Sequence, residues 1–91
     1  MAALIARKTA YEASADIAIT DTPATISFSY DPAVEMYPSR LQALIDRKDS
    51  SGSYKLERVL TGEEGSVTIY GPGTYRVRKP ATLNAIGIDQ D

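Results

Sequence analysis

The 91-residue sequence contains neither histidine nor cysteine. Thiol nucleophiles, the commonest general base and the usual zinc ligands are therefore missing. Among the carboxylates, the pair closest to chemical use is Glu63 and Glu64, which are adjacent in a turn flanked by glycines. A glycosidase pair needs two carboxylates that face each other across a cleft, whereas neighbouring residues of an extended chain point in opposite directions. We interpret this pair as solvated turn residues and predict that the protein is not an enzyme.

Two further stretches bear a weak likeness to ligand-binding loops. Residues 46–57 read DRKDSSGSYKLE, but their oxygens do not have the spacing of a calcium loop and two basic residues intrude. A hairpin turn is the favoured interpretation. The Gly71-Pro72-Gly73 segment lacks the spacing and the following helix of a phosphate-binding loop. The sequence therefore predicts no metal and no cofactor.

The basic residues Arg76, Arg78 and Lys79 lie in the stretch YGPGTYRVRKPA. On a strand, Arg76 and Arg78 would lie side by side on the outer face, about 6–7 Å apart, with Tyr54 and Tyr70 nearby. They could contact a phosphate or an anionic glycan. The favoured alternative is a soluble face that pairs with acidic residues of a neighbouring strand or subunit. Six tyrosines without a tryptophan give only weak support for sugar stacking.

Composition excludes several classes of function. A net charge of −2 lacks the basic footprint of a nucleic-acid-binding domain. The absence of cysteine gives no sign of an oxidising compartment. In the opening MAALIARKTA the apolar run precedes the basic residues, the reverse of a signal peptide, and no apolar run is long enough to span a bilayer. We expect a soluble protein made in a cytoplasm, with no nucleic-acid or membrane partner.

Short alternating segments predict a β structure. The clearest is residues 24–30, where Ile26, Phe28 and Tyr30 would point inward. Residues 39–48 fit either a helix or a strand, and the strand is favoured because a turn at 49–52 and a returning segment at 53–60 follow. Gly71-Pro72-Gly73 is expected to be a turn that pairs the segments on either side of it. The other predicted strands are 16–20, 66–70, 74–79 and 82–88, and a loop with two prolines is predicted at 31–38.

These segments predict a small antiparallel β-sandwich or barrel over residues 16–91. The first fifteen residues show no period of two. We interpret residues 1–15 as an extended N-terminal arm that is ordered only if something holds it.

Residues 16–91 resemble small β-sandwich decoration (cement) proteins of tailed bacteriophage capsids, which are encoded beside the major capsid gene. The resemblance lies in the GPGTYRVRKPA strand, the preceding KDSSGSY hairpin and VLTG step, and the closing NAIGID segment. It implies an immunoglobulin-like or jelly-roll-like sandwich that stabilises the capsid from outside. The partner would be the major capsid protein, with self-association as a dimer or trimer, and the location would be the virion exterior. A carbohydrate- or receptor-binding module of a phage tail or fibre is the alternative.

Under this resemblance we expect the arm to act as a clamp and the basic strand to contact an acidic capsid surface. The residues expected to bind the capsid are Leu4, Ile5, Arg7, Lys8, Tyr11, Arg76, Arg78 and Lys79.

Overall fold

A computed structural model describes residues 2–31, 41–82 and 84–91. These residues form nine strands and no helix, which confirms the predicted all-β class. The strands are β1 (Ala2–Lys8), β2 (Glu12–Ala13), β3 (Ile17–Ile19), β4 (Ala24–Ser29), β5 (Gln42–Lys48), β6 (Tyr54–Thr61), β7 (Ser66–Ile69), β8 (Gly73–Lys79) and β9 (Ile86–Gln90).

The strands build two antiparallel sheets that pack face to face as a β-sandwich. One sheet has four strands in the order β1-β9-β4-β7, and the other contains β2-β8-β5-β6. The short strand β3 also pairs with β8, so that β2 and β3 lie along different parts of the same edge. We call these the four-stranded and the five-stranded sheet.

The core lies between the sheets and follows from the alternation of apolar residues. Tyr75 and Val77 are buried as predicted, and so are Val67 and Ile69. Residues 42–48 form a strand, which confirms the favoured interpretation of that segment over a helix. The buried hydrophobic residues are Ile5, Ile17, Ile19, Ala24, Ile26, Leu41, Ala43, Ile45, Leu60, Val67, Ile69, Tyr75, Val77, Ile86 and Ile88.

Two local predictions are wrong. Tyr30 was expected in the core, but it follows the end of β4 and is 38% exposed. The segments on either side of Gly71-Pro72-Gly73 do not pair with each other. Instead, β7 pairs with β4 and β8 pairs with β5, because the chain passes from one sheet to the other at this turn. The loop predicted at 31–38 lies, apart from its first residue, outside the described residues.

The N-terminal segment is extended, as predicted, and it contributes strands to both sheets. β1 pairs with β9, and its Ile5 is 1% exposed in the core. The backbone amide of Ser14 donates to the carbonyl of Val77 at 2.8 Å. The contacts that hold this segment therefore come from the chain itself.

Gly87 allows β1 to lie close to β9. A Cβ atom at this position would lie 2.6 Å from the carbonyl oxygen of Ile5 and 3.0 Å from the amide nitrogen of Arg7. Real Cβ atoms do not approach backbone so closely, because the atoms would overlap. The absence of a side chain at Gly87 is thus a requirement for the docking of β1.

Candidate functional site

The outer face of the five-stranded sheet carries a carboxylate held by two arginines. Asp46 Oδ2 accepts hydrogen bonds from Arg76 Nε at 3.1 Å and Arg76 Nη2 at 2.9 Å. Arg78 Nε donates to the same oxygen at 2.6 Å, and its Nη2 donates to Oδ1 at 2.9 Å. The side chain of Asp46 is 2% exposed, whereas those of Arg76 and Arg78 are 27% and 28% exposed. The predicted outward arginine pair is therefore present, and both members are bound to one buried acid.

The register of two neighbouring strands creates this arrangement. β5 and β8 are antiparallel, with Asp46 opposite Arg76 and Leu44 opposite Arg78. Arg76 and Arg78 alternate with the buried Tyr75 and Val77, so both point to the outer face. The carboxylate thus sits where both arginines reach it.

Electrostatics favour the ionised form of this acid. Burial by itself raises the pKa of Asp46, but hydrogen bonds from Arg78 and Arg76 outweigh it and hold the pKa below its ordinary value. The hydrogen bond to Asp46 also raises the pKa of Arg78. Asp46 and Arg78 are therefore both charged at neutral pH.

Tyr54 on β6 extends the cluster. The guanidinium carbon of Arg76 lies 3.7 Å from the centre of the Tyr54 ring, and Lys48 Nζ lies 5.6 Å from it. The Tyr54 hydroxyl donates a hydrogen bond to Asp16, which also pairs with Lys48 at 3.4 Å. This hydrogen bond raises the pKa of Tyr54 and lowers the pKa of Asp16. The expected proximity of Tyr54 to the arginines is confirmed, whereas Tyr70 lines a cleft beside Gly71.

Tyr11 completes the exposed part of this surface. It is 56% exposed and interacts with Arg78, whose pKa it helps to raise. We call the surface formed by Tyr11, Lys48, Tyr54, Arg76 and Arg78 around Asp46 the guanidinium face. Three cationic side chains and the carboxylates of Asp46 and Asp16 leave it with a positive balance.

Two residues predicted to bind a partner are buried instead. Lys79 is 1% exposed, and its Nζ donates to the carbonyls of Ala10 at 2.9 Å and Pro80 at 3.0 Å. Burial lowers the pKa of Lys79, and the nearby Lys8 adds to this effect. Ile5 belongs to the core, as described above. Neither side chain is therefore exposed to a partner in the folded chain.

The other predicted residues lie on or beside β1, away from the guanidinium face. Leu4 is partly buried against the core. Arg7 is exposed and donates from Nε to Ser29 Oγ at 3.0 Å across the four-stranded sheet. Lys8 forms an ion pair with Glu12. The structure thus brings Tyr11, but not the rest of the predicted clamp, next to Arg78.

Sequence reasoning missed Asp46 as the organising residue of this surface. The available clue was the alternation along β5. Ala43 and Ile45 are buried in the core, so Asp46 falls on the outer face, where it is an acid beside two arginines. Assigning it required the pairing of β5 with β8, which the local pattern does not give.

The remaining candidates for chemistry have structural roles. Glu64 bonds to Arg58 at 3.1 Å, and this bond lowers the pKa of Glu64. Asp49 Oδ1 accepts hydrogen bonds from the backbone amides of Ser51 and Ser53, which confirms a hairpin turn there. Over residues 2–31, 41–82 and 84–91 no group of three or more acidic side chains is arranged to hold a metal ion.

Comparison with protein-family models, with curated proteins and with solved structures found no match to this chain. No helix long and apolar enough to cross a membrane occurs in the part of the chain that the structure describes. The resemblance to decoration proteins therefore stays a prediction, and the guanidinium face is the observation from which a function is argued.

Proposed function

We propose that the protein is a non-enzymatic binding protein that attaches to an acidic protein surface through its guanidinium face. More specifically, we propose that it decorates and stabilises the outside of a bacteriophage capsid, with the major capsid protein as its partner. The observation that carries the first step is the pair of arginines held by the buried Asp46. The resemblance of residues 16–91 to decoration proteins supports the second.

The arrangement suits binding because the arginines are ordered before a partner arrives. Fixing a long side chain on association costs about 0.5–1.5 kcal/mol of conformational free energy. Here the hydrogen bonds to Asp46 have already fixed the side chains of Arg76 and Arg78. Their Nε and Nη2 atoms bond the carboxylate, so the Nη1 side of each fork is directed away from it. A carboxylate of a partner is the natural ligand of that side.

The residue types of the face also match those of protein interfaces. Arginine and tyrosine are enriched where partners bind tightly. Tyr11 is exposed beside Arg78, and Tyr54 stacks under Arg76. The positive balance of the face favours an acidic partner surface.

A capsid would make a modest affinity sufficient. The face is small, so a single contact is expected to be weak. Where several subunits associate on one shell, binding at neighbouring sites adds through effective concentration. A small sandwich of this kind can therefore hold a shell without a large individual interface.

The test uses expanded empty capsids assembled from the major capsid protein that the proposal expects to be encoded beside this chain's gene. The full chain is mixed with capsids, and the bound fraction is measured by co-sedimentation. We expect wild-type binding to saturate, and Tyr11→Ala and Arg78→Lys each to weaken it about tenfold, the scale of a residue at an interface centre. Glu63→Ala, in an exposed turn, is the matched control and should bind like wild type.

Point substitutions are preferable to deleting residues 1–15. That deletion would remove Ile5 from the core and would test folding rather than binding. Failure of the wild-type chain to bind capsids would overturn the capsid proposal. Saturable binding of a phage receptor polysaccharide without binding of capsids would favour the carbohydrate-binding alternative.

A further inference from the structure

The second exposed feature of the five-stranded sheet is its edge strand β6. Within residues 2–31, 41–82 and 84–91 this strand pairs only with β5, so its other edge carries unpaired backbone groups. Leu56, in the middle of the exposed part, is 55% exposed. An unpaired strand with an exposed apolar residue is a template for pairing with another strand.

The charges along β6 are complementary to themselves. Lys55 and Glu57 flank Leu56 directly, so the sequence reads base, apolar residue, acid. When two copies of this strand run antiparallel and are centred on Leu56, each Lys55 lies opposite the Glu57 of the second copy. Leu56 then lies opposite its own counterpart. Side chains directly opposite each other in such a pair are about 4.5–5.5 Å apart at Cβ and interact.

The directions of the side chains agree with this pairing. Lys55 is opposite Arg47 in the β5–β6 ladder, and Glu57 pairs with Arg47 at 3.7 Å, so both lie on the Arg47 side of the sheet. Leu56 is opposite Asp46 and lies on the side of the guanidinium face. In the paired copies, each Lys55 and the opposite Glu57 therefore lie on one face of the sheet, and the two Leu56 side chains lie together on the other face.

Existing contacts do not compete strongly with the pairing. Lys55 is 77% exposed and lies 3.8 Å from Asp49, and Glu57 makes one ion pair with an exposed arginine. Exposed pairs of this kind contribute little free energy. A β-bulge at Glu57, shown by the shift between Ile45–Arg58 and Asp46–Leu56, twists the strand and keeps the new ladder short. A short ladder gives a reversible, concentration-dependent association.

We propose that the occupant of this edge is a second copy of the chain, paired antiparallel through β6 about a two-fold axis at Leu56. The two five-stranded sheets then form one continuous sheet, with both guanidinium faces on the same side. A two-fold interface of this type brings the same patch of both copies together. This inference does not depend on the capsid proposal, because it concerns a different edge and a different partner.

Charge reversal tests the register as well as the association. In a Lys55→Glu dimer each new acid faces Glu57 of the second copy, and in a Glu57→Lys dimer each new base faces Lys55 of the second copy. We expect sedimentation equilibrium of the wild type to show a monomer–dimer equilibrium, with the association constant at least tenfold lower for each single variant. The double variant K55E/E57K keeps the complementarity and should associate like wild type.

A mixture of the two single variants provides the most specific test. Each is repelled by itself, but together they place acids opposite bases at both positions, so a heterodimer should form with near wild-type affinity. Far-ultraviolet circular dichroism of each variant checks that the fold is retained. A wild-type chain that remains monomeric at millimolar concentration would overturn the proposal. So would single variants that associate like wild type, or a mixture that associates no better than its components.

Discussion

Replacing Asp46 with asparagine removes the charge that organises the guanidinium face while it keeps the shape of the side chain. In the wild type the carboxylate accepts bonds of 2.6 to 3.1 Å from both arginines and is 2% exposed. The amide in Asp46→Asn offers one oxygen to these donors and turns its own NH₂ group toward cations. Two guanidiniums are then left close together without the charge between them.

The expected loss of stability follows from the burial of the two partners. Removing one partner of a fully buried ion pair costs about 3–5 kcal/mol. The arginines are 27% and 28% exposed, so water compensates part of the loss and the lower end of that range applies. We therefore expect a decrease of about 3 kcal/mol in the free energy of unfolding. For a domain of this size, about 4–8 °C per kcal/mol gives a decrease of roughly 12–24 °C in Tm.

The assay is equilibrium unfolding in urea, followed by tyrosine fluorescence and by circular dichroism. Urea is preferred to guanidinium chloride because it does not screen the ion pairs. Asp21→Asn, at an exposed position before Pro23, is the matched control and should change stability by less than about 0.5 kcal/mol. If Asp46→Asn unfolds at the same urea concentration as this control, the carboxylate does not hold the arginines and the reasoning is refuted.

Three further predictions concern pH and the N-terminal segment. The pKa of Asp46 is lower in the folded state than its ordinary value of 3.8. Its contribution to the free energy of unfolding is therefore complete above that value and is lost as the pH falls through the folded pKa. On acidification, Asp46→Asn should lose less of its free energy of unfolding than the wild type. Gly87→Ala places a methyl group 2.6 Å from a β1 carbonyl, so it should cost about 1–3 kcal/mol and speed hydrogen exchange in residues 2–8. Gly52→Ala is the control for backbone strain, because its methyl group meets no neighbour but its φ of +90° disfavours alanine; it should not selectively speed exchange in residues 2–8. Lys79→Met leaves two backbone carbonyls without their donor, so the free energy of unfolding should fall by about 1–2 kcal/mol. Equilibrium unfolding in urea measures this change, and Lys55→Met, at an exposed position, is the control that should change it negligibly.

Local alternation was sufficient to predict much of the fold. Tyr75 and Val77 point inward and Arg76 and Arg78 outward because successive residues of a strand face opposite sides. The same rule places Lys79 on the inner side, where its burial makes it unavailable to a partner. The prediction that Lys79 contacts a partner rested on its charge, whereas the alternation along β8 determines its burial.

The pairing of strands could not be predicted from the local pattern. The turn at Gly71-Pro72-Gly73 has the composition of a hairpin turn, yet it connects strands of different sheets. Likewise, the incorporation of β1 depends on Gly87, about eighty positions further along the chain. Such contacts are decided by which sheet face remains to be covered, and a single segment does not contain that information.

The functional surface depends on the same long-range information. Arg76 and Arg78 were predicted from the sequence, whereas Asp46 was recognised only through the register of β5 against β8. Tyr11 reaches Arg78 because β2 runs along β8, with Glu12 opposite Lys79. Residue types thus indicated Tyr11, Tyr54, Arg76 and Arg78. Strand pairing supplied the other two members of the face, Lys48 and Asp46.

The most direct test of the proposed function is a cryo-electron microscopy reconstruction of expanded capsids saturated with the full chain. We predict ordered density for the sandwich on the outer capsid surface, with the guanidinium face directed toward acidic residues of the major capsid protein. Capsids that remain bare at saturating protein concentration would contradict the account. Density that contacts the shell only through the four-stranded sheet, with Arg76 and Arg78 facing solvent, would contradict it equally.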